Sequence, residues 1–247
     1  MARRNKKSID EKAKMSFFMH LLELRKRLMI CLIAVVIGAC LAYAFAPWVI
    51  KWIAQFYIEA SKQKDAKLAQ SNVLDAFLLR IKVATYGGIV IASPVWLFQL
   101  WRFITPGLHP KEKKYVIPFI LSAVTLFILG GCVAFLTLTK ALVFLLDSGG
   151  VNYFQVINAA SYVNFVVLMF VAFGISFQFP VVLVFLLLAR VLKTSQLRSF
   201  RRGAILIIVI FAAVITPSSD PYSLFLMAIP MYIFYEISII IGRILKR

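Results

Sequence analysis

The segment Ser93–Glu112, SPVWLFQLWRFITPGLHPKE, carries the strongest signal in the sequence. An apolar helix is predicted to end within its aromatic residues, because a turn signal follows at Thr105–Gly107. A second helix is predicted to begin behind Pro110, with the acid Glu112 in its first turn. The segment therefore predicts two apolar helices joined by a short loop that ends in a carboxylate.

The composition around this segment determines the class of protein. Of the 247 residues, 62% are hydrophobic, and the mean hydropathy is +0.89, which exceeds what a soluble core can bury. A bilayer core of about 30 Å accepts helices of about 20 apolar residues. The sequence predicts an all-α integral membrane protein of six spans, near 28–46, 75–103, 116–138, 162–189, 203–215 and 222–241.

The placement of positive charge predicts the orientation of these spans. The chain has 28 Lys and Arg residues against 10 Asp and Glu residues, and most of the cations lie on one side of the predicted membrane. Because cytoplasmic loops are rich in Lys and Arg, both termini are predicted to be cytoplasmic. We expect a basic segment with an interfacial helix at 1–27, the six-helix domain at 28–241 and a basic tail at 242–247. Charge next to apolar spans favours anionic lipids, not nucleic acid, as the partner.

The predicted helices are unequal in length and interrupted by prolines. The span at 203–215 has 13 residues, which make a helix of about 20 Å, shorter than the bilayer core. Prolines within or beside helices remove backbone donors and tend to kink them. They occur here at Pro94, Pro118, Pro180 and Pro230. Kinked helices of unequal length favour a concave bundle over a straight, tightly packed one.

Two acids on the predicted cytoplasmic side are candidates for binding a cationic ligand. Glu23 lies in a segment whose apolar residues recur at helical spacing, and Glu112 lies at the start of a helix. Each acid also has a local explanation. Glu23 can pair with Arg27 one turn later, which is worth a few tenths of a kcal/mol. Glu112 can favour the positive end of its own helix.

Three polar residues stand out in or beside the later spans. Gln178 lies between Phe173 and Pro180, where its amide needs a partner or water, so an interhelical hydrogen bond and a functional role are both open. Glu236 is costly to bury and is expected to pair with a nearby Arg. Asp220 is expected to cap the start of the last span.

The remaining reactive residue types do not form a recognisable chemical site. Cys31, Cys40 and Cys132 lie in apolar runs without metal-ligand spacing and are predicted to be small core residues. His20 and His109 have no ligands arranged around them and are predicted to lie in loops. With no nucleotide-binding loop and no nucleophile–base pair, the sequence predicts neither an enzyme nor a bound cofactor or metal.

Four motifs occur in the order and spacing of a known family. They are HLLELRKRL at 20–28, SPVWLFQLWRFITPGLHPKEKK at 93–114, FGISFQFP at 173–180 and ITPSSDPYSLFLMAIPMYIFYE at 215–236. The chain resembles the TatC family, the multispanning receptor subunits of twin-arginine protein translocases. This resemblance implies a glove-shaped bundle of six helices in the bacterial inner membrane, which binds Arg-Arg signal peptides of folded cargo proteins.

The resemblance also assigns roles to residues of this chain. Glu23 and Glu112 correspond to the acids assigned to the twin arginines, and their supporting residues are His20, Leu24, Arg25, Pro106, Gly107 and Leu108. An intramembrane groove would contain Phe173, Gln178 and Pro180. Single-span TatA-like and TatB-like partners would dock at Thr216, Pro217, Asp220, Tyr235 and Glu236, in a multimeric complex that depends on the proton gradient.

The chain departs from the family pattern at two positions, and two other classes of protein compete with this interpretation. Many members have Glu at the position of Gln178, and the frequent T-P-P-D motif here reads T-P-S-S-D, which shifts Asp220 by one residue. A small-solute secondary transporter would need charged groups near mid-membrane and often has repeated halves, which this sequence lacks. A purely structural scaffold would leave the placement of Glu23 and Glu112 accidental.

Overall fold

The computed structural model describes residues 2–61, 68–69, 74–104, 116–148, 157–217 and 220–244, with side chains from Met19 onward. This part of the chain is helical apart from turns and one isolated bridge between Ala69 and Asn158. The described helices are α1 (Ala2–Ser61), α2 (Asp75–Ile91), α3 (Ser93–Ile104), α4 (Val116–Ser148), α5 (Ala159–Ser176), α6 (Phe179–Leu188), α7 (Thr194–Ser199), α8 (Arg201–Ile215) and α9 (Pro221–Ile244).

Several described helices are long and apolar enough to cross a membrane. Four are Met19–Ser61, Ile117–Asp147, Ala159–Leu188 and Pro221–Ile244, and α2 with α3 makes a fifth candidate that is bent by 52°. These helices confirm the prediction of an all-helical membrane protein. Helix α8 has 15 residues and is about 22 Å long, which is shorter than a bilayer core of about 30 Å. Six spans and cytoplasmic termini therefore stay predictions.

Two helices continue well beyond the ends of their predicted spans. Helix α1 runs to Ser61 and α4 runs to Ser148, where the sequence predicted loops. Pro47 costs α1 one backbone donor, but the following turns pack against α4 and α5 through a buried cluster that includes Ile53. The Tyr162 hydroxyl on α5 donates to the Ile53 carbonyl at 2.7 Å. Tertiary packing thus keeps this part of α1 helical despite its proline.

The span predicted at 75–103 is broken into α2 and α3 at Ala92. Pro94 has no backbone N–H, so the helix cannot continue its hydrogen-bond ladder through this point. The Trp96 indole instead donates to the Ile89 carbonyl at 2.9 Å. One side chain from the start of α3 therefore satisfies a carbonyl in the last turn of α2, and the bend is held in place.

The span predicted at 162–189 is likewise two helices, α5 and α6, separated by Phe177 and Gln178. Pro180 occupies the first turn of α6, where its missing N–H costs no helical bond. The start of α5 is capped by Asn158, whose side-chain oxygen accepts from the Ala160 N–H at 2.8 Å. Both breaks thus follow from prolines that the sequence analysis had interpreted as kinks.

Helices α1 and α2 approach each other backbone to backbone. A Cβ atom on Gly88 would lie 2.5 Å from the Ala39 nitrogen, and one on Gly38 would lie 2.8 Å from the Gly88 carbonyl oxygen. A Cβ on Gly87 would lie 2.8 Å from the Ala42 side chain. Small residues allow such contact between membrane helices, where van der Waals packing drives association. These contacts fix the antiparallel register of α1 and α2.

The other helices pack around a second set of contacts. Helix α4 packs on α5, α6 packs on α9, and α8 packs on α9. A buried cluster that includes Phe173, Phe177 and Met227 joins α4, α5, α6, α8 and α9.

The prediction that the cysteines are core residues is wrong for Cys40 and Cys132, which are exposed. An outward-facing position suits a small apolar residue on a helix surrounded by lipid.

Candidate functional site

The first two sequence motifs meet where the early part of α1 crosses the end of α3. The His20 imidazole stacks on the Phe103 ring, with centroids 4.3 Å apart and an interplanar angle of 17°. Two turns later on α1 and about one turn earlier on α3, Arg27 Nη1 donates to Gln99 Oε1 at 3.4 Å. Two contacts between residues far apart in sequence therefore hold these motifs together.

Glu23 lies on α1 between these two contacts. Its Oε1 accepts from Arg27 Nε at 3.1 Å and also from Arg27 Nη2, which confirms the predicted pair one turn apart. Within the described part of the chain, its Oε2 accepts no hydrogen bond. The side chain is 39% exposed. Glu23 is therefore an accessible acid that is held by Arg27 through one of its two carboxylate oxygens.

The predicted supporting residues divide between this surface and the segment beyond α3. His20, Leu24 and Arg25 are exposed on α1. The prediction that His20 lies in a loop is wrong, because α1 continues through it without a break. Glu112 and the turn Pro106–Leu108 lie outside the described residues. The structure describes the end of α3 at Ile104, next to the contact between His20 and Phe103, and the segment with Glu112 follows from there.

Gln178 lies in the break between α5 and α6 and faces α4. Its Nε2 donates to the Ala123 carbonyl at 2.9 Å, which confirms the interhelical hydrogen bond considered for this residue. Its Oε1 is buried and has no partner among the described residues. The amide is therefore half satisfied, with one acceptor left over inside the protein.

The residues expected to line a groove with Gln178 are placed differently from the prediction. Phe173 is 0% exposed, and Pro180 is also buried. Phe173 packs within the main core, where α4 comes so close that a Cβ on Gly130 would lie 2.8 Å from the Phe173 carbonyl oxygen. Neither side chain lines an open surface in this structure.

An aromatic cluster joins the end of α3 to α4 and α6 near Gln178. Trp101 packs edge-on against Phe119, with centroids 4.6 Å apart, and lies 5.8 Å from Phe185. Ala123, which accepts the bond from Gln178, belongs to the same buried cluster. The sequence analysis missed Trp101 and Gln99 as individual residues. Gln99 could have been found as the lone amide in an otherwise apolar stretch of α3.

An ion pair connects the start of α8 to α9. Arg201 Nη2 donates to Glu236 Oε2 at 2.7 Å, and the Tyr232 hydroxyl donates to Glu236 Oε1 at 3.2 Å. This confirms that Glu236 pairs with an Arg. The neighbouring Tyr235 hydroxyl donates to the Leu197 carbonyl at 2.7 Å, so α9 is also tied to α7.

Asp220 caps the start of α9. Its Oδ1 accepts from the Ser223 N–H at 2.7 Å, and Pro221 occupies the first helical position, as the sequence predicted for a cap. Three of the residues predicted to dock partners are buried, namely Thr216, Asp220 and Tyr235. The other two, Pro217 and Glu236, are partly exposed, while the buried three shape the ends of α8 and α9.

Pro217 borders an apolar cleft between α5 and the end of α8. The cleft has a volume of about 330 Å³ and is lined by Leu168, Val171, Ala172, Ile175, Ile215 and Pro217.

Within the described ranges, no group of three His, Cys, Asp or Glu side chains is placed to hold a metal ion. The arrangement offers acids, amides and apolar surface for binding.

Comparison with known proteins identifies the family that shares this arrangement. The family model described as Sec-independent protein translocase protein (TatC) matches residues 19–230. The chain belongs to the TatC family. The TatC protein of Carboxydothermus hydrogenoformans is 37% identical over 94% of both chains. That of Aquifex aeolicus is 38% identical over 92% of this chain and 95% of its own. That of Frankia casuarinae is 38% identical over 94% of this chain and 66% of its own.

Solved TatC structures share the fold. Two crystal structures of the twin arginine translocase receptor TatC are each 39% identical to this chain. They give TM-scores of 0.73 and 0.75, and cover 92% and 90% of this chain and 100% and 99% of their own. The protein is thus a membrane-embedded member of a family of protein translocase components, which is not a family of enzymes.

Proposed function

We propose that this TatC protein is the receptor subunit of a twin-arginine translocase and binds the Arg-Arg pair in signal peptides of folded cargo. The observation that best supports this function is the state of Glu23. It is a partly exposed acid whose Oε2 accepts no hydrogen bond within the described residues, and it lies where α1 meets α3. A guanidinium ligand matches such a carboxylate in charge and geometry.

Arg27 has a positioning role in this proposal. Its guanidinium holds Glu23 through Oε1 and contacts Gln99 on α3, so it fixes the carboxylate relative to both helices. The incoming guanidinium then donates to Oε2 in a charge-assisted hydrogen bond. Repulsion from Arg25 and Arg27 opposes the approach of a dication. A second acid is therefore needed to hold the second arginine.

We assign that second contact to Glu112. The stack of His20 on Phe103 lies one residue before the end of α3, and the segment that leads to Glu112 begins there. In this arrangement the two acids hold one arginine each, and the surrounding cations reject peptides that lack a matching pair of guanidinium groups.

The apolar part of the signal peptide is proposed to follow α3, α4 and α6. The aromatic cluster around Trp101 connects the end of α3 to the region of Gln178, whose Oε1 remains available as an acceptor. Phe173 and Pro180 would serve as the buried backing of this groove. Opening of the contact between Gln178 and Ala123 would expose the amide to the peptide.

The protein is proposed to span the bacterial inner membrane six times, with both termini cytoplasmic and α8 as the short fifth span. Helix α8 buries Ala204, Ile208 and Ala212, while its opposite side is exposed and apolar. Single-span TatA-like and TatB-like subunits would cover that side and the adjoining part of α9, in a multimeric complex driven by the proton gradient. Anionic lipids would neutralise the cytoplasmic clusters of Lys and Arg.

Peptide binding to the purified protein in nanodiscs tests the proposed receptor function. We expect Glu23→Ala to weaken binding of a twin-arginine peptide by about tenfold or more, the range for loss of a hydrogen bond to a charged group. Glu59→Ala is the matched control, because Glu59 is an exposed acid near the other end of α1. Equal affinities of the two variants, or equal binding of a Lys-Lys peptide, would contradict the proposal.

A small-solute secondary transporter is the alternative from another class, and it is not favoured. The family that matches this chain is one of protein translocase components. Near the middle of the described spans, Gln178 is an amide already bonded to a neighbouring helix, which is a poor centre for a solute or ion.

A further inference from the structure

Two exposed cations lie beside the end of an apolar span that is far from the proposed peptide site. Lys51 on α1 and Arg80 on α2 are both exposed, and within the described chain neither forms an ion pair or hydrogen bond. Both lie on the predicted external side, where Lys and Arg are usually scarce. Their position needs an explanation other than topology.

The register of α1 and α2 places Arg80 at the end of the apolar part of α1. The helices are antiparallel, and Gly38 lies against Gly88, while Ala42 lies against Gly87. Counting equal numbers of residues from these contacts sets Arg80 level with residues 46–49 of α1. This is where the predicted span 28–46 ends, so we expect the guanidinium to lie at the depth of lipid headgroups.

An apolar cleft runs from this level toward the middle of the membrane. Its volume is about 400 Å³, and its lining includes Cys40 and Tyr43 on α1 and Ile81 and Thr85 on α2. Arg80 precedes Ala84, another lining residue, by one helical turn, so both lie on the same side of α2. The cleft thus has an apolar interior, and an exposed cation lies next to its lining on α2.

Lys51 is an exposed cation on the opposite helix. It lies about two turns beyond Tyr43 on α1, past the lining residues of the cleft. The two helices therefore each carry one exposed cation beyond the outer end of the cleft. A second transmembrane helix would use the apolar interior but would leave both charges unmatched.

We propose that this cleft, between residues 36–43 and 81–85, binds one anionic phospholipid. The phosphate would accept hydrogen bonds from Arg80 and would be attracted by the positive charge of Lys51. An acyl chain would fill the apolar interior. A guanidinium forms bidentate contacts with phosphate, and each cation near an anionic headgroup favours binding. This site is separate from the peptide site and does not depend on the proposed receptor function.

A fluorescence quenching experiment tests the site. All three native cysteines are replaced by Ala, and bimane is attached at Leu41→Cys, an exposed position beside the cleft. The protein is reconstituted in mixed phosphatidylglycerol and phosphatidylcholine vesicles, with brominated acyl chains on one lipid or the other. We expect the site to prefer phosphatidylglycerol by roughly fivefold or more, in line with one to two cation contacts.

The matched variants separate recognition from non-specific attraction. Arg80→Gln combined with Lys51→Gln is expected to reduce the preference to about 1, whereas Arg243→Gln, which removes an exposed charge near the end of α9, leaves it unchanged. Thr85→Phe fills the cleft from an exposed position and is expected to reduce quenching by both lipids. In the protein with native cations, 1 M salt should also reduce the preference.

Three outcomes would overturn the proposal. Equal quenching by both lipids would mean that any acyl chain fills the cleft without recognition of its headgroup. Weak quenching by both lipids, equal to that of Thr85→Phe, would mean that a second copy or another helix occupies the cleft. A preference that survives loss of both cations would assign it to charge elsewhere. If the double variant fails to fold, the lipid preference of the protein with native cations at 1 M salt serves as the test, and a preference that survives the salt overturns the proposal.

Discussion

His20 and Phe103 stack with centroids 4.3 Å apart, which ties the start of one membrane helix to the end of another. The two rings are nearly parallel. They lie on α1 and α3, which are separated in sequence by α2. Because α3 ends one residue after Phe103, we expect this stack to position the start of the following segment, which carries Glu112, relative to Glu23.

Phe103→Ala is the first prediction from this contact. Loss of the stack should weaken twin-arginine peptide binding about threefold to tenfold, the range for one aromatic pair. Phe103→Tyr should bind normally, since it keeps the ring. Phe225→Ala, which removes an exposed ring on α9, is the control for a general effect on stability. Normal affinity of Phe103→Ala would show that the stack has no positioning role.

A second prediction concerns charge at Glu112. Glu112→Ala should weaken peptide binding, because an arginine would then meet Lys111, Lys113 and Lys114 without a carboxylate. Glu112→Lys should weaken it further, since it adds a like charge. Affinity measured in nanodiscs at low and high salt separates the two effects, as repulsion is screened at high salt. If both variants bind as tightly as the unaltered protein, Glu112 is not part of the site.

The contact between α1 and α2 gives a prediction about stability. Gly88→Ala should destabilise the protein, because its Cβ would lie 2.5 Å from the Ala39 backbone nitrogen, which has no flexible end to move aside. Gly131→Ala is a matched control on α4, where the nearest atom to the new Cβ is the Phe170 ring at 3.7 Å. Thermal unfolding in detergent should show a lower Tm for Gly88→Ala and an unchanged Tm for Gly131→Ala. A similar Tm for both would mean that α1 and α2 can separate without cost.

The sequence predicted the elements better than their ends, and the reason is visible in particular residues. Apolar runs identified the spans, and prolines marked the breaks beside Pro94 and Pro180. The extension of α1 past Pro47 could not be predicted locally, because it depends on contacts such as that of Ile53 with Tyr162 on α5. Helix propensity around a proline is overridden there by tertiary packing.

The candidate site was predictable to a similar degree. Local spacing predicted the pairing of Glu23 with Arg27, the cap at Asp220 and a salt bridge for Glu236, and all three are present. Contacts across helices, such as Arg27 with Gln99, require knowledge of which helices pack together. Burial of Phe173 was missed for the same reason, since one sequence does not reveal which side of α5 faces the core.

Gln178 gives a prediction that separates structure from transport. Gln178→Leu loses the bond to the Ala123 carbonyl and should lower the stability by about 1 kcal/mol, the usual net value of one hydrogen bond. Transport should fall more than this stability loss explains if the amide also serves the peptide or a partner helix. Gln178→Glu should transport cargo, because Glu has nearly the same size and its protonated carboxyl group can still donate to the Ala123 carbonyl. Full transport by Gln178→Leu would leave the amide with a structural role alone.

The last prediction rests on the length of α8. Its 15 residues span about 22 Å, so they cross a core of about 30 Å only where the bilayer thins or a partner shields the ends. Insertion of seven leucines after Ile208 lengthens the helix and nearly keeps its phase, whereas four leucines turn its second half by roughly 40°. The seven-residue variant should insert stably but lose binding of the single-span partner, because the thinned region and the match to α9 disappear. Co-purification of the partner and transport of a folded cargo measure this loss. Normal partner binding and transport by the seven-residue variant would mean that the short helix is incidental to the mechanism.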